Sequence, residues 1–314
     1  MYEEHFGLNA KPFRITPDPR YLFMSDRHKE GLAHLLYGVT DSGGFIQLTG
    51  EVGTGKTTLI RALLEQLPSK VEIALIMHTQ ITAKEFLREI CNEFNIDNHG
   101  ESTIDIVNTL NSFLLEQHAK GRKIILLIDE AQNLTTDVLE QIRLLTNLET
   151  EKDKLLQIIL IGQPELRMVL AQNNLRQLSQ RITARYHLKP LSKAETFLYI
   201  EHRLRISGSK IEIFKKNAKK EVFRYSSGIP RLINIICDRA LLGAYSINTR
   251  EVDKKIVIKA KNEIEGREIP PRKSNRTATY ILIVMVIVIF FTNELGYIDS
   301  QYLHNITKIF FKVN

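Results

Sequence analysis

The sequence predicts an α/β fold, a doubly wound and mostly parallel sheet followed by a small helical domain. Three observations carry that prediction. A glycine-rich string, Gly50 to Thr57, stands between an apolar run and a helical pattern. A second apolar run, Ile124 to Ile128, ends in two acids, Asp129 and Glu130. Through the first 190 residues, runs of strand length alternate with amphipathic stretches, the order that builds parallel strands joined by crossover helices.

In chain order, Phe45 to Thr49 reads as the first strand. The string after it, Gly50-Glu51-Val52-Gly53-Thr54-Gly55-Lys56-Thr57, is a complete G-x-x-x-x-G-K-[ST], with Thr58 ending the stretch expected to hold a cofactor. Glycines let backbone N–H groups turn around phosphate oxygens, and Lys56 is placed to neutralise the β and γ oxygens. Thr57 offers its hydroxyl to Mg²⁺. Leu59, Leu63, Leu64 and Leu67 then supply helical spacing, so that a helix N-terminus points at the phosphates. Val71 to Met77 reads as a strand and Ala83 to Phe94 as a helix. The continuous apolar run Ile124 to Ile128, in the strand Ile124 to Asp129, has the pattern of a strand buried on both faces. At its end Asp129 is expected to hold Mg²⁺, directly or through water, and Glu130 to polarise an attacking water. Thr135 to Leu148 reads as a helix, Leu155 to Gly162 as the fourth strand and Tyr186 to Leu188 as a short fifth. Helices alone are expected from Pro190 to Ile264, with breaks at Ser207-Gly208 and Gly228-Ile229-Pro230. The expected domains are therefore a nucleotide-binding domain over residues 1–189 and a helical lid over 190–264.

Composition narrows the function. With 43% hydrophobic and 25% charged residues in 314, 16 glycines and 9 prolines, neither a disordered nor a collagen-like chain is compatible. Cys91 and Cys237 are the only cysteines and have no C-x-x-C spacing, which excludes a thiolate zinc cage and fits a reducing compartment. Both are expected to be buried. The nine histidines show no H-E-x-x-H, and there is no G-x-S-x-G elbow, so hydrolysis of anything but a nucleotide is not expected. Residues 189 to 262 hold 17 Lys/Arg against 7 Asp/Glu. Such a block suits nucleic acid, anionic lipid or an acidic partner, or is a solvated lysine-rich helix face.

Residues 277–293 read TATYILIVMVIVIFFTN, without a charge. At about 1.5 Å per residue they make roughly 25 Å of helix, near the short limit for crossing a bilayer. Arg267, Arg272, Lys273 and Arg276 precede the run, and no Lys or Arg follows until Lys308. By the positive-inside rule this predicts a single-pass anchor with the preceding nucleotide-binding domain cytoplasmic and a short external tail, 294–314. Residues 265–276, with Pro270-Pro271, form the basic linker. A core helix or strand is the other reading of so short a run. Met1 to Asn9 has no apolar h-region, so the chain is expected to begin in the cytoplasm.

The strings F-G-L-N-A-K-P-F-R-I-T-P-D-P-R-Y-L-F, G-E-V-G-T-G-K-T, D-E-A-Q-N-L, L-L-T-N-L-E-T-E-K, G-Q-P-E-L, L-R-Q-L-S-Q-R-I and S-S-G-I-P-R-L-I-N-I resemble the general secretion pathway protein A (ExeA-type) family of AAA+ ATPases, with its MSHA-type pilus branch (MshM). The resemblance covers roughly residues 1 to 262. It implies a homo-oligomeric ATPase using ATP and Mg²⁺ to help assemble an envelope secretion or type IV pilus apparatus. Longer members carry a periplasmic peptidoglycan-binding domain after the membrane helix. Here about twenty residues follow it, which brings the expectation closer to the pilus-type relatives. On the matching positions, the resemblance implies that Gln163 is the polar sensor holding the lytic water or γ-phosphate. It makes Arg231 the lid arginine on the phosphates, and Arg181 a finger reaching a neighbouring subunit's γ-phosphate, with Arg176 and Arg185 as rivals.

Two other functions remain open at this point. A DNA-associated AAA+ regulator of the transposition or replication-initiation kind would use the basic block, and its affinity would fall steeply with salt. A scaffold that uses ATP only as a switch would not turn over, which an intact Glu130 disfavours.

Overall fold

Four apolar runs and one alternating segment pair into one parallel sheet. The computed structural model describes residues 1–266 apart from 17, 41–44, 98, 99 and 101. The strands are β1 (Phe45–Gly50), β2 (Val71–Ile76), β3 (Lys123–Ile128), β4 (Leu156–Gly162) and β5 (Ile182–Leu188), in the spatial order β2-β3-β4-β1-β5. Every pairing is parallel, with Phe45 opposite Ile158 and Ile128 opposite Leu160. From β1 the chain crosses to β2 at the far edge, returns through β3 and β4 to β1's side, and then places β5 on the other side of β1, so the order reverses beside β1. In open sheets of this kind ligands bind outside the carboxyl ends of the strands at that reversal.

Alternate residues of the central strands face two cores. Phe45, Ile76, Leu126, Ile128, Ile158 and Leu160 face a core completed by the helices Ala83–Glu93, Thr103–Ala119 and Thr136–Leu145. Ile46, Leu48, Ile125, Leu127, Ile159 and Ile161 face the other, with the helices Asp26–Thr40 and Lys56–Leu64. Capping boxes at Thr82/Glu85 and Ser102/Asp105 satisfy the first N–H groups of two of these helices. Cys91 and Cys237 are both buried.

β5 spans seven residues and is not the short Tyr186 to Leu188 run expected from sequence. It lies at the sheet's edge, where Thr183, Arg185 and His187 take the polar side, so the apolar alternation Ile182, Ala184, Tyr186, Leu188 carries the only strand signal. Beyond it come the helices Lys193–Ile206, Lys216–Ser226, Pro230–Ser246 and Lys254–Ile264. Their apolar faces enclose a third core, which also takes Tyr2, Phe6, Leu8 and Phe13 from the start of the chain. Residues Met1–Glu265 form one compact unit. The basic block is partly neutralised within it: Lys219 bonds Glu201 (2.6 Å) and Glu212 (2.7 Å), and Lys254 bonds Glu221 (3.0 Å).

The break at Gly228 has a steric cause. Its φ of +79° lies in the left-handed region, and a Cβ there would overlap the carbonyl oxygen of Leu191. The Leu191 N–H donates to the Gly228 carbonyl at 2.9 Å, joining the end of β5 to the turn before Pro230. Gly228→Ala should therefore destabilise the chain by about 3 kcal/mol, from backbone strain and displacement of that contact. Urea unfolding measures this, and an unchanged midpoint would refute the contact.

The predicted membrane segment 277–293, the linker from residue 267 onward and the tail 294–314 lie outside the described residues. Among the described residues no helix is long and apolar enough to cross a membrane.

Candidate functional site

Three neighbouring strands, β3, β4 and β1, release their chains at the same edge of the sheet. β1 runs into the glycine loop, β3 into Asp129-Glu130, and β4 into Gln163. Sequence order places β2 between the loop and the acids, but in the sheet it is β4 that separates them, at about 4.8 Å per strand. This is what brings the distant motifs to one place.

The loop's geometry follows from its glycines. Gly53 (φ 80°) and Gly55 (φ 104°) are left-handed, and a Cβ on Gly55 would stand 2.8 Å from His28 Nε2. Lys56 opens the helix Lys56–Leu64 and is only 8% exposed. Its Nζ donates to the carbonyls of Gly50 (2.8 Å) and Glu51 (3.2 Å). Burial pulls its pKa below the ordinary lysine value, opposed by the carboxylates of Glu130 and Asp129. Thr54 Oγ1 donates to Glu51 O at 2.8 Å, closing the loop on itself.

Burial pushes the Asp129 carboxyl above the usual aspartate range, against the Glu130 N–H that donates to its Oδ1 at 2.8 Å. Thr57 and Asp129 line the same cavity, and a hydroxyl with a carboxylate beside a phosphate cradle is the hard-oxygen set that suits Mg²⁺. Among the described residues no group of three or more His, Cys, Asp or Glu is arranged to hold a metal. Glu130 occupies left-handed backbone (φ 49°), a conformation costing about 1–3 kcal/mol in a residue with a Cβ. Its Oε2 accepts from Gln132 Nε2 at 2.6 Å and from Gln163 Nε2 at 3.2 Å. Burial alone would raise its pKa, but these two amides and Lys56 outweigh it and hold the carboxyl below the usual range.

Arg231 stands against the loop. Its N–H donates to Gly53 O at 3.3 Å, and a Cβ on Gly53 would meet Arg231 Cβ at 2.5 Å. Gly53 to Thr58, Val52, Asp129, Glu130 and Arg231 all line one cavity of about 440 Å³, within the usual range for small-ligand sites. Arg181 is not among its lining residues. Its Nη1 reaches Thr146 Oγ1 (3.1 Å) and Thr146 O (3.4 Å), at the C-terminus of the helix Thr136–Leu145, where a cation opposes the helix dipole. Arg176 and Arg185 line a separate surface cavity with Asn173, Ser179 and Gln180.

Several residues at the site escape the sequence reading. Gln132 is one; it falls inside D-E-A-Q, but no spacing rule assigns it. His28 is another, buried with Nδ1 2.7 Å from Ser25 Oγ and Nε2 3.2 Å from Thr54 O. Burial lowers its pKa, so a neutral ring supports the loop from beneath. The far wall comes from a strap, whose residues Arg14, Thr16, Asp18, Tyr21 and Phe23 line the cavity, together with Leu191, Tyr199, Arg203 and Asn234. Arg203 is buried, donating to Pro12 O (2.6 Å) and Tyr199 Oη (2.7 Å), with its guanidinium 4.9 Å from the Tyr21 ring centroid. No local pattern links residues near 20 with residues near 200, which is why only the fold reveals this wall.

The family model described as an AAA domain matches residues 39–170, the span from before β1 to beyond β4. General secretion pathway protein A of Aeromonas hydrophila is 49% identical over 267 residues, covering 85% of this chain and 49% of that protein. The chain thus spans about half the length of that relative. Among solved structures, Cdc6p from Pyrobaculum aerophilum superposes with a TM-score of 0.59 at 19% identity, over 79% of this chain and 71% of that one. Drosophila ORC bound to DNA gives 0.62 at 22% identity, over 81% and 64%. At such identities these two likenesses concern the fold alone.

Proposed function

We infer the function from the premise that this chain belongs to the AAA+ ATPase family of general secretion pathway protein A: it binds and hydrolyses ATP and uses the cycle to assist assembly of an envelope secretion or type IV pilus apparatus. The observation that carries the reading is the single cavity lined by the glycine loop, Lys56, Asp129, Glu130 and Arg231. The phosphates belong on the loop, where Gly50 to Thr58 supplies N–H groups and a helix N-terminus. Their length then directs the nucleoside toward the strap and Tyr199.

In the reaction we propose, Lys56 exchanges its contacts with the Gly50 and Glu51 carbonyls for phosphate oxygens. Glu130, ionised and with Oε2 held by two amides, accepts a proton from the attacking water at Oε1. Gln163 orients that water, and Arg231 places a guanidinium on the phosphates. Thr57 and Asp129 would hold Mg²⁺, which supplies charge neutralisation for the departing phosphate. Arg181 is proposed to act on the nucleotide of a neighbouring copy in a homo-oligomer. Residues 277–293 are proposed to anchor the chain in the inner membrane, with the ATPase on the cytoplasmic side and the remaining basic surface near anionic headgroups.

The test is recovery of partners from detergent-solubilised membranes with a Glu130→Gln variant held on ATP. Secretin or pilus-assembly components are expected in the membrane fraction. Recovery of nucleoprotein from the soluble fraction would overturn the envelope reading in favour of the DNA-associated one.

A further inference from the structure

We propose that Gln132 is a positioning residue for nucleotide hydrolysis, a bridge that locks the Glu130 carboxylate to the end of β4. The proposal rests on the reading of Glu130 as the residue that activates water. Its starting point is a problem of geometry. β3 ends at Ile128, and the chain turns into the short 3-10 helix Ala131–Asn133 through a left-handed Glu130. That backbone aims the side chain out of the sheet's edge, but three rotatable bonds remain between it and the carboxylate. Something else must fix where the oxygens lie.

Gln132 supplies the restraint with both ends of one amide. Its Oε1 accepts from the backbone N–H of Gln163 at 3.0 Å, and its Nε2 donates to Glu130 Oε2 at 2.6 Å. A backbone N–H can only donate, so Oε1 must face β4 and Nε2 must face Glu130. Both assignments agree. Room for the bridge comes from Gly162, where a Cβ would stand 2.8 Å from Gln132 Oε1. The second donor to Oε2, Gln163 Nε2, comes from the residue whose N–H anchors the bridge. Oε2 thus has two donors, and Oε1 is the oxygen left to meet water. The strand that separates the glycine loop from the acids also sets the register of the carboxylate relative to the loop.

Gln132→Met keeps the length and removes both bonds, whereas Gln132→Glu puts an acceptor against Glu130 Oε2. Turnover, KM and the affinity for a fluorescent ATP analogue are measured for both variants of the full chain, with Glu130 intact and with Glu130→Ala. With Glu130 intact, Gln132→Met should lower kcat on the order of 10²-fold at unchanged KM and affinity, and Gln132→Glu should lose at least as much. With Glu130→Ala, neither change should reduce the residual rate further, because the carboxylate through which Gln132 acts is gone. Equal losses in both backgrounds, a fall in nucleotide affinity, or an undiminished kcat in Gln132→Met would each overturn the proposal. A parent chain that turns over no ATP defeats the underlying reading and this proposal with it; an active parent matched by Gln132→Met defeats the proposal alone.

Discussion

Lys56→Ala should lose nucleotide binding, by about 10³-fold in affinity or more. The side chain is nearly buried, and its ammonium already sits among the Gly50 and Glu51 carbonyls, so no other cation on the loop can move into its place. Truncating one partner of a desolvated charge pair typically costs 2–5 kcal/mol or more, and here the partner would be a polyanion. The carboxylates of Asp129 and Glu130 sharpen the effect, since without Lys56 they would repel the incoming phosphates. Equilibrium titration with a fluorescent ATP analogue measures it, and affinity within a few-fold of the parent would remove Lys56 from the site. The same variant tests the subunit in trans. Mixed with an inactive Arg181→Ala variant, it should restore part of the turnover, because an intact loop and an intact arginine can then meet between two copies. No recovery despite demonstrated subunit exchange would leave Arg181 with only its bond to Thr146.

Glu130→Gln should show the opposite separation, with ATP affinity kept and turnover lowered by roughly 10²–10⁴-fold. The amide is isosteric and stays in reach of Gln132, but it cannot take a proton. Its loss acts only where charge develops in the transition state. Two measurements on one preparation decide it: normal binding in the titration and near-absent phosphate release. Normal release would remove Glu130 from the chemistry.

How much of this was legible in the sequence divides along the range of the interactions involved. The glycine loop, Lys56 and the acids at the end of β3 were legible because each is a local string whose chemistry needs fixed spacing. β1, β3 and β4 were legible because a strand buried on both faces is an apolar run, and β2, at the other edge, because Val71, Ile73, Ala74, Leu75 and Ile76 still make one. β5 was underread because an edge strand buries one face only, and its period-2 signal is diluted by Thr183, Arg185 and His187. The placement of β4 between β3 and β1 had no local signature, and with it went the meeting of Gln132, Glu130 and Gln163. The opening residues were read as part of the first domain for a similar reason. Tyr2, Phe6 and Phe13 pack with helices that begin nearly two hundred residues later.

That last feature bears on how the protein is made. Tyr2 donates to Asp238, and His5 Nε2 lies 2.9 Å from Thr249 O, so the opening residues find their partners only when the chain is almost complete. Emerging from the ribosome at roughly 5–20 residues per second, the N-terminal stretch waits on the order of ten seconds or more with Phe6 and Phe13 exposed. The sheet can assemble during that interval, since its last strand ends at Leu188. The cavity cannot, because its far wall joins the strap to Tyr199, Arg203 and Asn234. Sequence separations of this size slow the closing step, and they make nucleotide capture a late event in biogenesis. A truncated or stalled chain would carry the complete glycine loop and still lack the far wall of the cavity.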